Sequence, residues 1–119
     1  MMDEEFDGSP EDNNHIQNSI QRYEEMLRKH DEYFFDVDAF LNIIDYYIEK
    51  NDPVKALQVV DFAQQQHTYS VEFLLRKAQL LAMVEKYSEA LLILEDAEKI
   101  TPTDPDIFMI RGKIGRAHV

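Results

Sequence analysis

KALQVVDFA, residues 55–63, and EALLILEDA, residues 89–97, share one pattern: an alanine, an aliphatic residue four places on, and a second alanine three places after that. Ala56 and Ala90 are 34 residues apart, and so are Ala63 and Ala97. Self-similarity at such a period marks a unit that stacks on copies of itself. Taking 37, 71 and 105 as equivalent first positions extends the match with no insertion. Phe40, Leu74 and Phe108 then hold the fourth place, Tyr47 and Leu81 the eleventh, and Val60 and Leu94 the twenty-fourth.

Each unit carries two apolar stripes at helical spacing with a breaker between them. Asp52 before Pro53 reads as an N-cap and a first helical residue, Ser88 as the cap of the equivalent helix, and Asp104 with Pro105 as the opening of a third unit. The alanines recur for a packing reason. Two antiparallel helices joined by a short turn approach closely only where one presents small side chains, and the large residues at the fourth, eleventh and twenty-fourth places fill the remaining space. The pattern predicts helices near 15–30, 37–50, 53–66, 71–84, 88–100 and from 105, no strand, and Ala56 and Ala90 buried against the first helix of their own unit.

Upstream of the repeat, residues 1–14 hold six acids and no base around Gly8, Ser9 and Pro10, with Phe6 the one large ring. This reads as a disordered acidic leader, of the wrong charge for a secretory or mitochondrial signal. Ile16, Ile20, Tyr23 and Leu27 then form one helical stripe, with Asn13 or Asn14 as its cap. The aromatic run Tyr33, Phe34 and Phe35 breaks the periodicity and is expected to plug the gap before the next helix, so that residues 15–36 make an N-terminal helix and connector.

Composition narrows the function. Across 119 residues, 12 Lys+Arg stand against 24 Asp+Glu, a formal charge of −12, which disfavours nucleic acid and anionic membrane surfaces. The absence of cysteine removes disulfides, thiolate metal sites and cysteine nucleophiles together. No apolar run reaches the roughly 20 residues of a membrane span, so the cytoplasm is the expected compartment. Carboxylate pairs such as Glu24 with Glu25, or Glu95 with Asp96, read as solvated helix faces, and Asp36–Val37–Asp38 lacks the glycine and terminal glutamate of a calcium loop. His15, His30, His67 and His118 are too scattered to converge on a metal, and Gly8, Gly112 and Gly115 do not form a phosphate loop. No cofactor, no metal and no catalytic constellation is expected.

The period and its residues resemble the tetratricopeptide repeat, a helical hairpin of 34 residues that stacks into a right-handed superhelix. The resemblance covers residues 37–70 and 71–104 as two units, with a third opening at 105–113. The second unit matches best, through Leu74, Ala78, Leu81, Ala90, Leu94, Ala97 and Pro102. The first departs at Ile44 and Thr68, where the family prefers a small residue and proline, and looser helix packing is expected there. More distantly, the leader helix with its aromatic connector is similar to the start of long repeat proteins of the Bacteroidetes. The implied fold is an all-α solenoid of stacked antiparallel hairpins.

The resemblance also implies a place for ligands, the concave face lined by the first helix of each unit. On this chain those positions are Asp38, Leu41, Asn42 and Asp45, then Glu72, Leu75, Arg76 and Gln79. The lysines and asparagines with which some relatives grip a terminal carboxylate are missing, since Leu41, Asp45 and Arg76 stand in their places. The implied function is a protein-interaction scaffold for a peptide or protein segment with basic and aliphatic side chains, with no small-molecule substrate. The alternative is an N-terminal capping segment with no ligand of its own.

The end of the chain, KIGRAHV at 113–119, carries Gly115 where the eleventh place calls for a large apolar residue. The codons AAG ATC GGA AGA GCA CAC GTC would encode it, and that string is similar to a common short-read sequencing adapter. The expectation is that native sequence ends near Lys113, that residues 114–119 are a non-native tail, and that the protein continues through further repeats.

Overall fold

The computed structural model describes residues 10–118, with side chains from 14 to 116, and these form six helices with no strand among them. They are α1 (Pro10–Lys29), α2 (Val37–Glu49), α3 (Pro53–Gln66), α4 (Val71–Met83), α5 (Tyr87–Ile100) and α6 (Pro105–His118). The 34-residue period is written into the boundaries. α2, α4 and α6 start 34 residues apart, α3 and α5 both start and end 34 apart, and α2 and α4 end 34 apart. α2 packs on α3 and α4 on α5 more extensively than any other pairs.

The turns repeat as well. Asn51 and Glu85, at equivalent places, adopt the left-handed conformation at φ 59° and 65°. Behind them, Asp52 N–H donates to Tyr47 O at 2.9 Å and Lys86 N–H to Leu81 O at 2.8 Å, so each first helix closes on an orphan carbonyl of its last turn. At the other ends, Asp36 accepts from Ala39 N–H at 2.8 Å and Asp52 from Lys55 N–H at 3.1 Å. Ser88 caps nothing. α5 takes Lys86 as its N-cap, two residues earlier, with no side-chain cap bond, which leaves Ser88 inside the first turn.

Ala56, Val60, Ala63 and their counterparts Ala90, Leu94 and Ala97 are all fully buried. Ile44 is fully buried too, so the bulkier eighth place of unit one is accommodated inside the core. α4 serves two cores. Phe73 and Leu80 join the core of the first hairpin, while Leu75, Ala78 and Leu81 pack with α5 and α6. This division leaves Leu74, the expected fourth-place core residue, only half-buried. α6 repeats the backward-facing part, because Ile107 and Ile114, at the places of Phe73 and Leu80, are buried, and Phe108 is 54% exposed. The helix thus runs on through residues 114–118, and Ile114, expected to belong to a tail, packs in the second core.

The N-terminal region differs from expectation in three ways. α1 begins at Pro10, whose fixed φ suits a first helical residue, so Asn13 and Asn14 lie within the helix and residues 10–14 of the expected leader are helical. The other leader residues, 1–9, lie outside the described part. Met26, not Leu27, completes the stripe with Ile20 and Tyr23, and its sulfur accepts from Tyr33 N–H at 3.2 Å. Of the three connector aromatics only Phe35 is fully inserted, Tyr33 is half-buried and Phe34 is 66% exposed.

The connector is held by the far end of α3. Gln66 donates to Tyr33 O at 2.7 Å and accepts from Phe35 N–H at 3.1 Å. His67 Nε2 lies 2.7 Å from Phe35 O, and since a carbonyl can only accept, that nitrogen carries the proton. Sequence periodicity gives no hint of these bonds, which join residues more than 30 positions apart.

Candidate functional site

The second, sixth and ninth places of α2, α4 and α6 line hollows or lie on exposed surface. Asp38 and Glu72 are exposed there, and Leu41, Asn42, Asp45, Arg76 and Gln79 are half-buried. Leu75 is 3% exposed, packs in the second core with residues of α4, α5 and α6, and lines a hollow between α4 and α6 with its remaining surface.

Asp45 and Arg76 find each other. Arg76 Nε donates to Asp45 Oδ1 at 3.0 Å, and its Nη2 donates to Oδ2 at 3.3 Å, a two-pronged pair joining α2 to α4. With side-chain exposures of 28% and 47%, the pair contributes about 0–1 kcal/mol. Its larger effect is on charge, since Asp45 is compensated within the protein and the surface is less acidic than its composition suggests.

Three hollows lie along these helices. One of about 200 Å³ is lined by Leu75, Arg76, Gln79, Asp106, Met109 and Lys113 among others, between α4 and α6. Next to it, about 240 Å³ is bounded by Ala82, Met83, Tyr87, Ile110 and Ile114, sharing Gln79 and Lys113. A third of about 360 Å³ lies between α1 and α2, lined by Ile16, Gln17, Asn42, Asp45, Tyr46 and Glu49. Arg76 borders the first of these hollows and Asp45 the third, so their ion pair stands between the two ends.

Seven of the eight expected site residues line hollows, lie in this ion pair or stand on exposed surface, and Leu41 is half-buried among apolar neighbours of the first core. Sequence reasoning missed Gln17, Tyr46 and Glu49, along with Asp106, Met109, Ile110 and Lys113. The signal for the last four was present, because they occupy the second, fifth, sixth and ninth places of the third unit.

Behind this face, Tyr47 donates its hydroxyl to Glu24 Oε2 at 3.0 Å. Burial, and then the bond to Glu24, push the Tyr47 phenol well above its ordinary value. An acid whose pKa is raised on folding contributes stability that is present below the unfolded pKa and is lost as pH rises above about 10. Denaturation across pH 8–11.5 should therefore show the protein weakening above pH 10, with Tyr47→Phe losing less over the same interval. Equal slopes for parent and variant would remove Tyr47 from the account; Tyr23, raised by burial, leaves a residual slope in both.

Among the described residues, no three His, Asp or Glu side chains are placed to share a metal ion, and no helix is long and apolar enough to cross a membrane. The groups on the grooved side offer shape, apolar contact, amide hydrogen bonds and a few charges. No family model, curated protein or solved structure matches the chain.

Proposed function

We propose that the helix pairs are tetratricopeptide units stacked as a solenoid, and that the side formed by α2, α4 and α6 is a concave docking groove for a peptide or protein segment. The chain is then an interaction scaffold, not an enzyme. The observation that carries this reading is the row of hollows lined by the same places of successive units: Asn42 and Asp45, Arg76 and Gln79, Ile110 and Lys113. Half-buried side chains arrayed on regular helices suit extended ligands, which need many modest contacts on a pre-formed surface.

The test is selection from a random peptide library on the immobilised protein, followed by amide chemical-shift mapping of the winners. Perturbations are expected along α2, α4 and α6, around Asn42, Arg76, Gln79 and Lys113, with α3 and α5 silent. Selected peptides that map to α3 and α5, or a library that yields none, would sink the reading.

A second reading has its own support. Ile20, Tyr23 and Met26 of α1 are buried against the first hairpin, while Asn14, His15, Asn18 and Gln21 face outward, which is how a repeat array is closed off from solvent. This capping role and the groove use different faces and are compatible.

A further inference from the structure

The charges along the grooved side are sorted. α2 carries Asp38, Asp45 and Glu49 and no base, whereas α6 carries Arg111, Lys113 and Arg116 against Asp106. At the α1–α2 end, Asp38 is exposed and Glu49 lines the 360 Å³ hollow, and Glu72 is exposed on α4. None of these three carboxylates pairs with a cation of the described residues, and Asp45 is the acid that Arg76 neutralises. At the α6 end, Arg111 is engaged by Glu98 at 3.1 Å, but Lys113 borders both hollows between α4 and α6 with no carboxylate pairing it among the described residues. Around Lys113 the walls are largely apolar, from Met83, Met109, Ile110 and Ile114, with Asp106 the one carboxylate among the residues lining these two hollows.

We infer that the groove is bipolar and takes a segment of matching polarity: basic side chains over the α1–α2 end, then an aliphatic or aromatic stretch, then a carboxylate that meets Lys113 over α6. This rests on the docking-groove reading and adds to it the chemistry and direction of the ligand. The chain's overall charge of −12 attracts any basic peptide at long range. A preference for an acidic end must therefore come from the local charge of α6, where contacts closer than the Debye length of about 8 Å escape screening at physiological salt.

Three synthetic peptides of equal length and identical apolar centre separate the cases: one basic at one end and acidic at the other, one basic throughout, one acidic throughout. In titrations on the intact chain at 0.15 M salt, the bipolar peptide should bind about three- to tenfold more tightly than the all-basic one. Lys113→Glu should abolish that advantage. A nitroxide on the acidic end should broaden amide signals of α6 and spare α1. If the all-basic peptide binds as well as the bipolar one, or the ratio survives Lys113→Glu, or the probe lands on α1, the bipolar assignment is overturned while the groove stands. If no peptide of the three binds, the groove reading fails with it.

Discussion

Phe40→Ala should lose about 3–5 kcal/mol of folding free energy, the cost typical of emptying a fully buried aromatic site. Phe40 has no exposed surface, and its ring lies within 6 Å of four others: Phe35 at 5.2 Å, Phe62 at 5.7 Å, His67 at 5.8 Å and Phe73 at 5.9 Å. These partners come from the connector, from α3 and its C-cap, and from α4, so one side chain ties three parts of the fold together. Domains of this size hold about 5–15 kcal/mol in all, and the variant should stand near the edge of folding. Phe40→Leu keeps most of the volume and should cost visibly less. Urea titrations of both variants check this, and a loss below about 1.5 kcal/mol for Phe40→Ala would mean that the aromatic cluster does not hold the first hairpin.

Ala90→Leu should cost about 1–3 kcal/mol by overpacking. Ala90 is fully buried where α5 crosses α4, beside Ala78 and Leu81. A leucine there forces the two helices apart or drives its neighbours off their rotamers. Ala56→Leu should behave alike, since Ala56 holds the same place between α2 and α3. Leu92, 61% exposed on the same helix as Ala90, provides the control: Leu92→Ala should change stability by no more than about 0.5 kcal/mol. Thermal melts of the three variants decide it, and an Ala90→Leu protein that melts with the parent would contradict close helix approach at this position.

The alanines are legible in the sequence because close helix packing leaves them no substitute, and Asp52 and Pro53 because caps and proline act locally. What escaped was whatever depends on a second neighbour. Leu74 and Phe108 looked like core residues when each unit was taken by itself; next to a preceding unit, Phe73 and Ile107 are the ones turned inward. The Asp45–Arg76 pair joins residues 31 positions apart, so both charges were read as free. Leu27 and Met26 are adjacent on a helix, 100° apart, and only the direction from which α2 arrives chooses between them.

The aromatic connector carries a consequence for how the chain opens and closes. Nearly all close helix contacts in this fold join neighbours in the chain, so either hairpin can form without waiting for distant segments, and folding should be fast for the length. The bonds from Gln66 and His67 to residues 33–35 are an exception, since they must close a loop of about 30 residues before they contribute anything. They belong to the late part of folding and to the early part of local opening. α1 and its connector should therefore detach together at less than the cost of global unfolding, leaving the two hairpins standing.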